Sequence, residues 1–266
     1  MKGIILAGGK GTRLWPLTAV TNKHLVPVGN LPMLEYPLFT IKKFVNSISV
    51  VTGGEHFQHI AKYLGDLHKD INFSYHYQAE AGGIAQALFL TENFVKDKKI
   101  VVILGDNVFE DDFLEAAEKF ENSDLGAMLF LKEVQDPERF GVAQIEGDKI
   151  ISIEEKPSHP KSNLAVTGLY FYDSTVFDKI RKLKPSARGE YEITDVNNIY
   201  IKEGKAGFHI VKGFWSDAGT YKSREKCEEF LKKGFEKKVI YSLSEETKKL
   251  MPEEIKHLFS HSTPSS

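Results

Sequence analysis

An α/β fold is expected, with a mixed, mostly parallel central sheet flanked by helices, and three features of the sequence predict it. Short apolar, β-rich runs alternate with segments of helical period through the first half. After about residue 125 the rhythm changes to closely spaced strand-like runs, and no Pro- or Ser-rich linker separates the two regimes. Such alternation builds parallel βαβ units with helices on both faces of the sheet, so ligands belong at the carboxyl ends of the strands.

Taken in order, residues 3–6, Ser47–Thr52, 73–78 and Ile100–Leu104 read as strands, and 34–45, 57–64 and 84–94 read as the helices between them. In the second half 127–134, 142–145, 150–154 and 166–172 read as strands with some antiparallel pairing. They continue one sheet and form the floor for a second ligand. Helices at 174–182 and Ile193–Lys202 and a strand at 208–211 follow. From Ser223 onward the chain is charged and helical, with an apolar stripe at Cys227, Phe230 and Leu231, as on a surface helix. A single catalytic domain is expected over 1–237 and a helical or disordered tail over 238–266. In that tail Ser242 with Glu245 has the spacing of a capping box and Pro252 suits the first turn of a short helix. The polar end from His261 to Ser266 has no apolar residues to order it.

Charged residues make up 27% of the 266, yet the net charge is only -2. No broad field attracts nucleic acid or acidic membranes, so basic groups that matter are local. No run approaches the roughly 20 apolar residues that span a bilayer. The lone cysteine, Cys227, has no internal disulfide partner, and no charged-then-apolar leader precedes the first apolar run. A reducing cytoplasm suits this combination.

The segment Leu6-Ala7-Gly8-Gly9-Lys10-Gly11-Thr12-Arg13 directly follows the first strand. Its glycines let backbone N–H groups approach an anion closely, and Lys10 and Arg13 add charge, so polyphosphate is a natural guest. A plain tight turn would also use these glycines. A Walker-type loop is absent, and the dinucleotide pattern Gly-x-Gly-x-x-Gly fails because Leu14 stands where its third glycine belongs.

From Lys2-Gly3-Ile4-Ile5-Leu6-Ala7-Gly8-Gly9 through Gly11-Thr12-Arg13-Leu14 and Asn22-Lys23-His24-Leu25-Val26-Pro27-Val28, the chain resembles the sugar-phosphate nucleotidyltransferases. Within them it looks like a short form of the glucose-1-phosphate thymidylyltransferases. The resemblance continues through Gly82-Gly83-Ile84-Ala85-Gln86-Ala87, Leu104-Gly105-Asp106-Asn107, Asp136-Pro137-Glu138-Arg139-Phe140-Gly141-Val142 and Glu154-Glu155-Lys156-Pro157. Further on it runs through Pro160-Lys161-Ser162-Asn163, Lys184-Pro185-Ser186-Ala187-Arg188-Gly189-Glu190 and Asp217-Ala218-Gly219-Thr220, covering about residues 1–225. It implies a Rossmann-like fold of the nucleotide-diphospho-sugar transferase type. The implied reaction is transfer of a nucleotidyl group from dTTP to glucose 1-phosphate, giving dTDP-glucose and pyrophosphate, for deoxysugar and cell-surface glycan synthesis. A homo-oligomer, dimer or tetramer, is implied as well. The end after about residue 225 does not resemble the longer helical extension that forms a regulatory nucleotide site in many relatives.

Asp106 follows the apolar run Ile100–Leu104, and Asp217 follows Phe214-Trp215. An Asp at a strand end also serves as a turn residue. Two aspartates bridging to a triphosphate would suffice for Mg²⁺, a hard ion that takes carboxylate, phosphate and water oxygens, and the resemblance implies that both are its ligands. It further implies that Arg13 faces the departing pyrophosphate, that Lys23 orients phosphates and that Lys156 binds the attacking phosphate, with Arg188 on the same sugar-phosphate side. The nucleotide-binding set is Leu6, Ala7, Gly8, Gly9, Gly11, Thr12, Gln78, Gly83 and Asp106. The sugar-binding set is Gly141, Glu155 and Val166. Gln78 and Gly83 match positions that read the pyrimidine, although an amide and a glycine there also suit a cap and a turn. Phe140 stands where many longer relatives carry Tyr. Use of UTP or another hexose, a non-catalytic nucleotide sensor and a dinucleotide-dependent oxidoreductase are the alternatives.

Overall fold

Strand β1 (Lys2–Ala7) lies in the middle of the sheet because its alternate residues suit two apolar faces: Ile4 and Leu6 join one buried cluster, Ile5 and Ala7 the other. Each fully buried Ile or Leu contributes roughly 1.5–3 kcal/mol relative to exposure, enough to fix which strand is central. This computed structural model describes residues 1–249, so Pro252 and the polar end lie outside the described residues. After β1 come the two-residue strands β2 (Pro27–Val28) and β3 (Leu31–Pro32), then helix α1 (Glu35–Ile41), β4 (Ser47–Thr52), α2 (Phe57–Leu67) and β5 (Asn72–Tyr77). The helical segment expected over 84–94 forms two pieces, α3 (Ile84–Phe89) and α4 (Glu92–Val95). It breaks at Thr91, whose hydroxyl donates to Leu88 O at 2.7 Å and competes with the helical ladder. Strands β6 (Ile100–Leu104) and β7 (Asn107–Phe109) follow, then α5 (Leu114–Glu121), β8 (Ala127–Glu133), β9 (Gly141–Glu146), β10 (Lys149–Glu155) and β11 (Leu164–Tyr172). The remainder is α6 (Val176–Ile180), α7 (Ile193–Lys202), β12 (Ala206–Ile210), β13 (Trp215–Asp217), α8 (Tyr221–Phe230), α9 (Glu236–Tyr241) and α10 (Glu245–Lys249).

Among the described residues, nine strands form the main sheet in the order β10-β9-β11-β6-β1-β4-β5, with β8 beside β11 and β12 beside β8. The β6-β1-β4-β5 group is parallel throughout. Strands β8 and β9 each pair antiparallel with β11, itself antiparallel to β6, so both run with the parallel group, as does β12. Only β11 and β10 run the other way, and the sheet is therefore mixed but mostly parallel, as the sequence predicts. Register places the carboxyl ends together: Ala7 is level with Thr52 and Thr52 with Tyr77, while Leu6 is level with Leu104. Every loop that follows one of these strands consequently opens on the same edge.

A third apolar cluster lies outside the sheet, where Cys227 of α8, Leu231, and Val239 and Ile240 of α9 pack on Leu14, Val28 and Tyr36. The stripe expected on a surface helix is thus the buried side of that helix. Residue 237 falls inside α9, whose buried Glu236 accepts from both nitrogens of Asn30. Capping also differs from the expectation at Ser242. Its hydroxyl donates back to Val239 O at 2.6 Å, and Ser244 caps α10 by accepting from Thr247 N at 3.2 Å. The capping box is found instead at the start of α8, between Thr220 and Ser223.

Candidate active site

The glycine loop turns at the end of β1 with Gly9 at φ 99° and Gly11 at φ 66°, the left-handed region that glycine enters at little cost. Gly11 then caps a 3₁₀ turn, Thr12–Leu14, which leaves Arg13 exposed beside the loop while Leu14 is buried as an anchor. Gly8 faces Gln78: a Cβ at Gly8 would lie 2.4 Å from Gln78 Oε1. Gln78 is buried, its backbone N–H donating to Thr52 O at 2.8 Å, and it follows β5 on the same sheet edge. Gly83 starts α3 at φ 96°, where an added Cβ would meet Tyr191 O at 2.6 Å, so only glycine fits this approach of two backbones.

Asp106, just past β6, meets Lys23 Nζ at 2.5 Å through one carboxylate oxygen and accepts from Asn107 Nδ2 at 2.9 Å through the other. Burial acts to raise its pKa, but the ammonium of Lys23 and the neighbouring donors outweigh burial and hold the carboxyl down to about 2. Asp106 is therefore a carboxylate throughout the neutral range. Lys23 is held by its neighbours in sequence: Asn22 Oδ1 accepts from His24 N at 3.0 Å and lies 3.0 Å from His24 Nδ1. Burial, and next to it Lys23, depress His24 to about 3, so its neutral ring donates to Asn22 and adds no charge.

Asp217 reaches this point through a short antiparallel pairing in which β13 lies on β7 with Asp217 opposite Asn107. One oxygen of Asp217 accepts from Gly219 N at 2.9 Å and from Ser223 Oγ at 3.0 Å; the other has Arg139 as an ion-pair partner at 3.6 Å. A Cβ on Gly219 would lie within 3.2 Å of Asp106, Lys23 and Asp217 alike, so the three groups converge there. A groove of about 940 Å³ opens alongside, lined by Arg139, Phe140, Trp215, Asp217, Lys222 and Lys226 among others.

A second cluster forms where β10 ends. Glu155 accepts from Thr194 Oγ1 at 2.5 Å, stands 3.5 Å from Arg188 Nη2 and 3.7 Å from Lys156 Nζ, and lies beside Gly141. Arg188 is a bidentate partner of Glu192, its Nη2 donating to Oε2 at 2.9 Å and its Nε to Oε1 at 3.2 Å, and it also faces Glu190 at 3.5 Å. These hydrogen bonds and carboxylates raise its pKa further. Lys156 is a non-glycine residue at φ 45°, with its N–H donating to Phe140 O at 2.9 Å and half of its side chain exposed. Val166 is buried in β11 where the pairing with β8 is interrupted.

The fold thus gathers the residues singled out in the sequence into two clusters, one holding Lys23, Asp106 and Asp217 and the other Gly141, Glu155, Lys156 and Arg188, with the glycine loop and Gln78 along the sheet edge. Several participants escape sequence reasoning. Asn107 braces the first cluster: its Oδ1 accepts from Trp215 Nε1 at 2.7 Å and Gly168 N at 3.2 Å, while its Nδ2 holds Asp106. Thr194, Ser223, Gly219 and Gln86 likewise hold or border residues of the site. Only membership of the same short motifs marked Asn107, Gly219 and Gln86 in the sequence, and nothing marked Thr194. Among the described residues no group of three or more His, Cys, Asp or Glu side chains could hold a metal. Two carboxylates converging on one point, with one Asp217 oxygen engaged only at 3.6 Å, fit a hard cation whose other ligands are phosphate and water oxygens.

A family model described as Nucleotidyl transferase matches residues 2–234. The chain is 42% identical over 237 residues to a Neisseria meningitidis protein named glucose-1-phosphate thymidylyltransferase, which covers 87% of this chain and 82% of that protein. Among solved structures, a Bacillus anthracis chain provisionally described as a glucose-1-phosphate thymidylyltransferase, crystallised with sucrose, superposes with a TM-score of 0.82 at 52% identity, over 86% of this chain and 94% of that one. A UDP-glucose pyrophosphorylase complexed with UDP-glucose shares the fold at a TM-score of 0.75 and 22% identity, over 87% of this chain and 98% of that one.

Proposed function

The chain belongs to the nucleotidyl transferase family, and on that premise we propose that this sugar-1-phosphate nucleotidyltransferase takes its nucleotidyl group from dTTP and its acceptor in α-D-glucose 1-phosphate. The products are dTDP-glucose and pyrophosphate, supplied to deoxysugar and cell-surface glycan synthesis. The convergence of Lys23, Asp106 and Asp217 about Gly219, joined to the Glu155 cluster through Phe140, whose ring packs on Trp215 at 5.2 Å and whose carbonyl oxygen accepts from Lys156 N, is the observation that carries this reading. It is the arrangement that two anions need in order to meet.

A phosphate monoester loses its second proton near pH 6, by about pH 7 its attacking oxygen is already charged, and no general base is needed. That oxygen forms a bond to the α-phosphorus of dTTP as the bond to the β-phosphate oxygen breaks, and pyrophosphate leaves with the electron pair. Protein groups align the two anions and stabilise their charge. In this reading the loop from Leu6 to Thr12 cradles the triphosphate, Arg13 faces the departing pyrophosphate and Lys23 orients the phosphates. Gln78 and Gly83 read the base. Lys156 and Arg188 meet the attacking phosphate, with Arg188 held in place by Glu192, while Glu155, Gly141 and Val166 contact the sugar. Asp106 and Asp217 hold Mg²⁺, which when bound neutralises phosphate charge. We further propose a cytoplasmic homo-oligomer, dimer or tetramer; no described helix is long and apolar enough to cross a membrane.

Pyrophosphate release over a panel of nucleoside triphosphates and hexose 1-phosphates tests the reaction. Release is expected to be fastest with dTTP and glucose 1-phosphate; a faster reaction with UTP or another hexose replaces the substrate assignment, and no release with any pair removes the proposal. Glu155→Gln tests the sugar side. One Glu155 oxygen is already taken by Thr194, so the change removes acceptor capacity mainly from the other. KM for glucose 1-phosphate is expected to rise by about tenfold and KM for dTTP to change little, since one charged hydrogen bond is worth roughly 1.5–3 kcal/mol. A change confined to the nucleotide KM contradicts the assignment.

A further inference from the structure

The amide chain at the end of β5 has a definite direction, set by a backbone group. Gly82 N–H, which can only donate, points to Gln86 Oε1 at 3.2 Å, and this fixes which end of the Gln86 amide faces inward. The same oxygen lies 2.8 Å from the Gln78 side chain, so Gln78 must present its NH₂ there. Gln78 Oε1 is thereby turned to the opposite side, against Gly8 of the glycine loop. Among the described residues none donates to it.

From this geometry we propose that Gln86 is a positioning residue that holds Gln78 as an acceptor, so that the site takes a base presenting an N–H donor and turns away cytosine. Thymine and uracil carry an imide N3–H that donates to such an oxygen, whereas cytosine has a lone pair at N3 and would leave two acceptors facing each other. The inference rests on the proposed function, in which Gln78 reads the base. It adds that Gln78 alone does not set the preference, because an amide free to rotate by a half turn offers either a donor or an acceptor. Gly8 contributes by leaving room for the carbonyl oxygen, which any side chain there would meet at 2.4 Å.

Dissociation constants for dTTP and dCTP, measured by titration calorimetry on the full chain with Mg²⁺, test this directly. The wild type is expected to favour dTTP by at least about a hundredfold, because dCTP would leave the Gln78 oxygen desolvated without a donor. Gln86→Leu removes the acceptor that orients Gln78 and is expected to reduce the ratio by at least about tenfold. Gln86→Glu retains an acceptor for both Gly82 N–H and the Gln78 amide and is expected to keep the ratio within about threefold of wild type. A wild type that binds dCTP as tightly as dTTP, a Gln86→Leu ratio equal to wild type, or a Gln86→Glu ratio that falls as far as that of Gln86→Leu each overturns the proposal. Binding is read separately from turnover: expected ratios without pyrophosphate release would sink the reaction and leave the base-reading device standing, and release with unchanged ratios would do the reverse.

Discussion

Replacing Asp217 with Asn is expected to lower turnover at least about a hundredfold at saturating Mg²⁺, a loss of roughly 2.7 kcal/mol of transition-state stabilisation. Its melting temperature should stay close to that of the wild type. An asparagine oxygen still accepts from Gly219 N–H and Ser223 Oγ, so the local turn survives, while the negative charge that would serve a cation is gone. Asp106→Asn should be equally slow but measurably less stable. Lys23 is only 10% exposed at its side chain and loses its carboxylate partner, leaving a poorly solvated charge. Steady-state rates with a Mg²⁺ titration, together with thermal melting of both variants, check the pair of outcomes. Near-native turnover for either variant would remove it from the metal-binding role.

That contrast between the two aspartates was not visible in the sequence. Asp106 follows a five-residue apolar run whose strand character and central position are plain, so its place at the carboxyl edge was legible from local pattern alone. Asp217 belongs to a strand of only three residues, too short for any period to register, and it reaches Asp106 by pairing with another three-residue strand over a hundred positions earlier. Only the family resemblance joined them beforehand. The parallel half of the sheet was readable because Ile, Val and Leu alternate between two buried faces. Asn107 was not readable, because an asparagine after an Asp at a strand end has the look of a turn, and its role follows from a tryptophan and a glycine contributed by distant strands. At the carboxyl end the helical character was legible, whereas the contact of Glu236 with Asn30 depends on how the chain returns to the hairpin of β2 and β3. Arg188 reads from sequence as a phosphate-binding cation; its bidentate partner Glu192 lies four residues away, a spacing the sequence contains but does not weight.

Lys156→Gly separates function from stability more sharply than any other substitution on the sugar-phosphate side. Lys156 adopts φ 45° at the end of β10, a region that costs a residue with a Cβ roughly 1–2 kcal/mol and costs glycine almost nothing. The conformation persists because its N–H is fixed to Phe140 O and the next residue, Pro157, is buried. Strain of this kind at the edge of a cleft is consistent with a side chain that must project where a regular strand would not send it. Glycine is therefore expected to leave the melting temperature unchanged or raised, since relief of strain offsets the greater freedom of the unfolded chain. The same change removes the ammonium that sits beside Glu155, and kcat/KM for glucose 1-phosphate should fall at least about a hundredfold, the scale on which removing a charge-stabilising donor slows group transfer. Thermal melting and steady-state kinetics on one preparation measure both effects. Activity retained within about tenfold, well short of that scale, would mean that the attacking phosphate has another partner, and Arg188, which faces the same Glu155 oxygen at 3.5 Å, would then have to supply the charge.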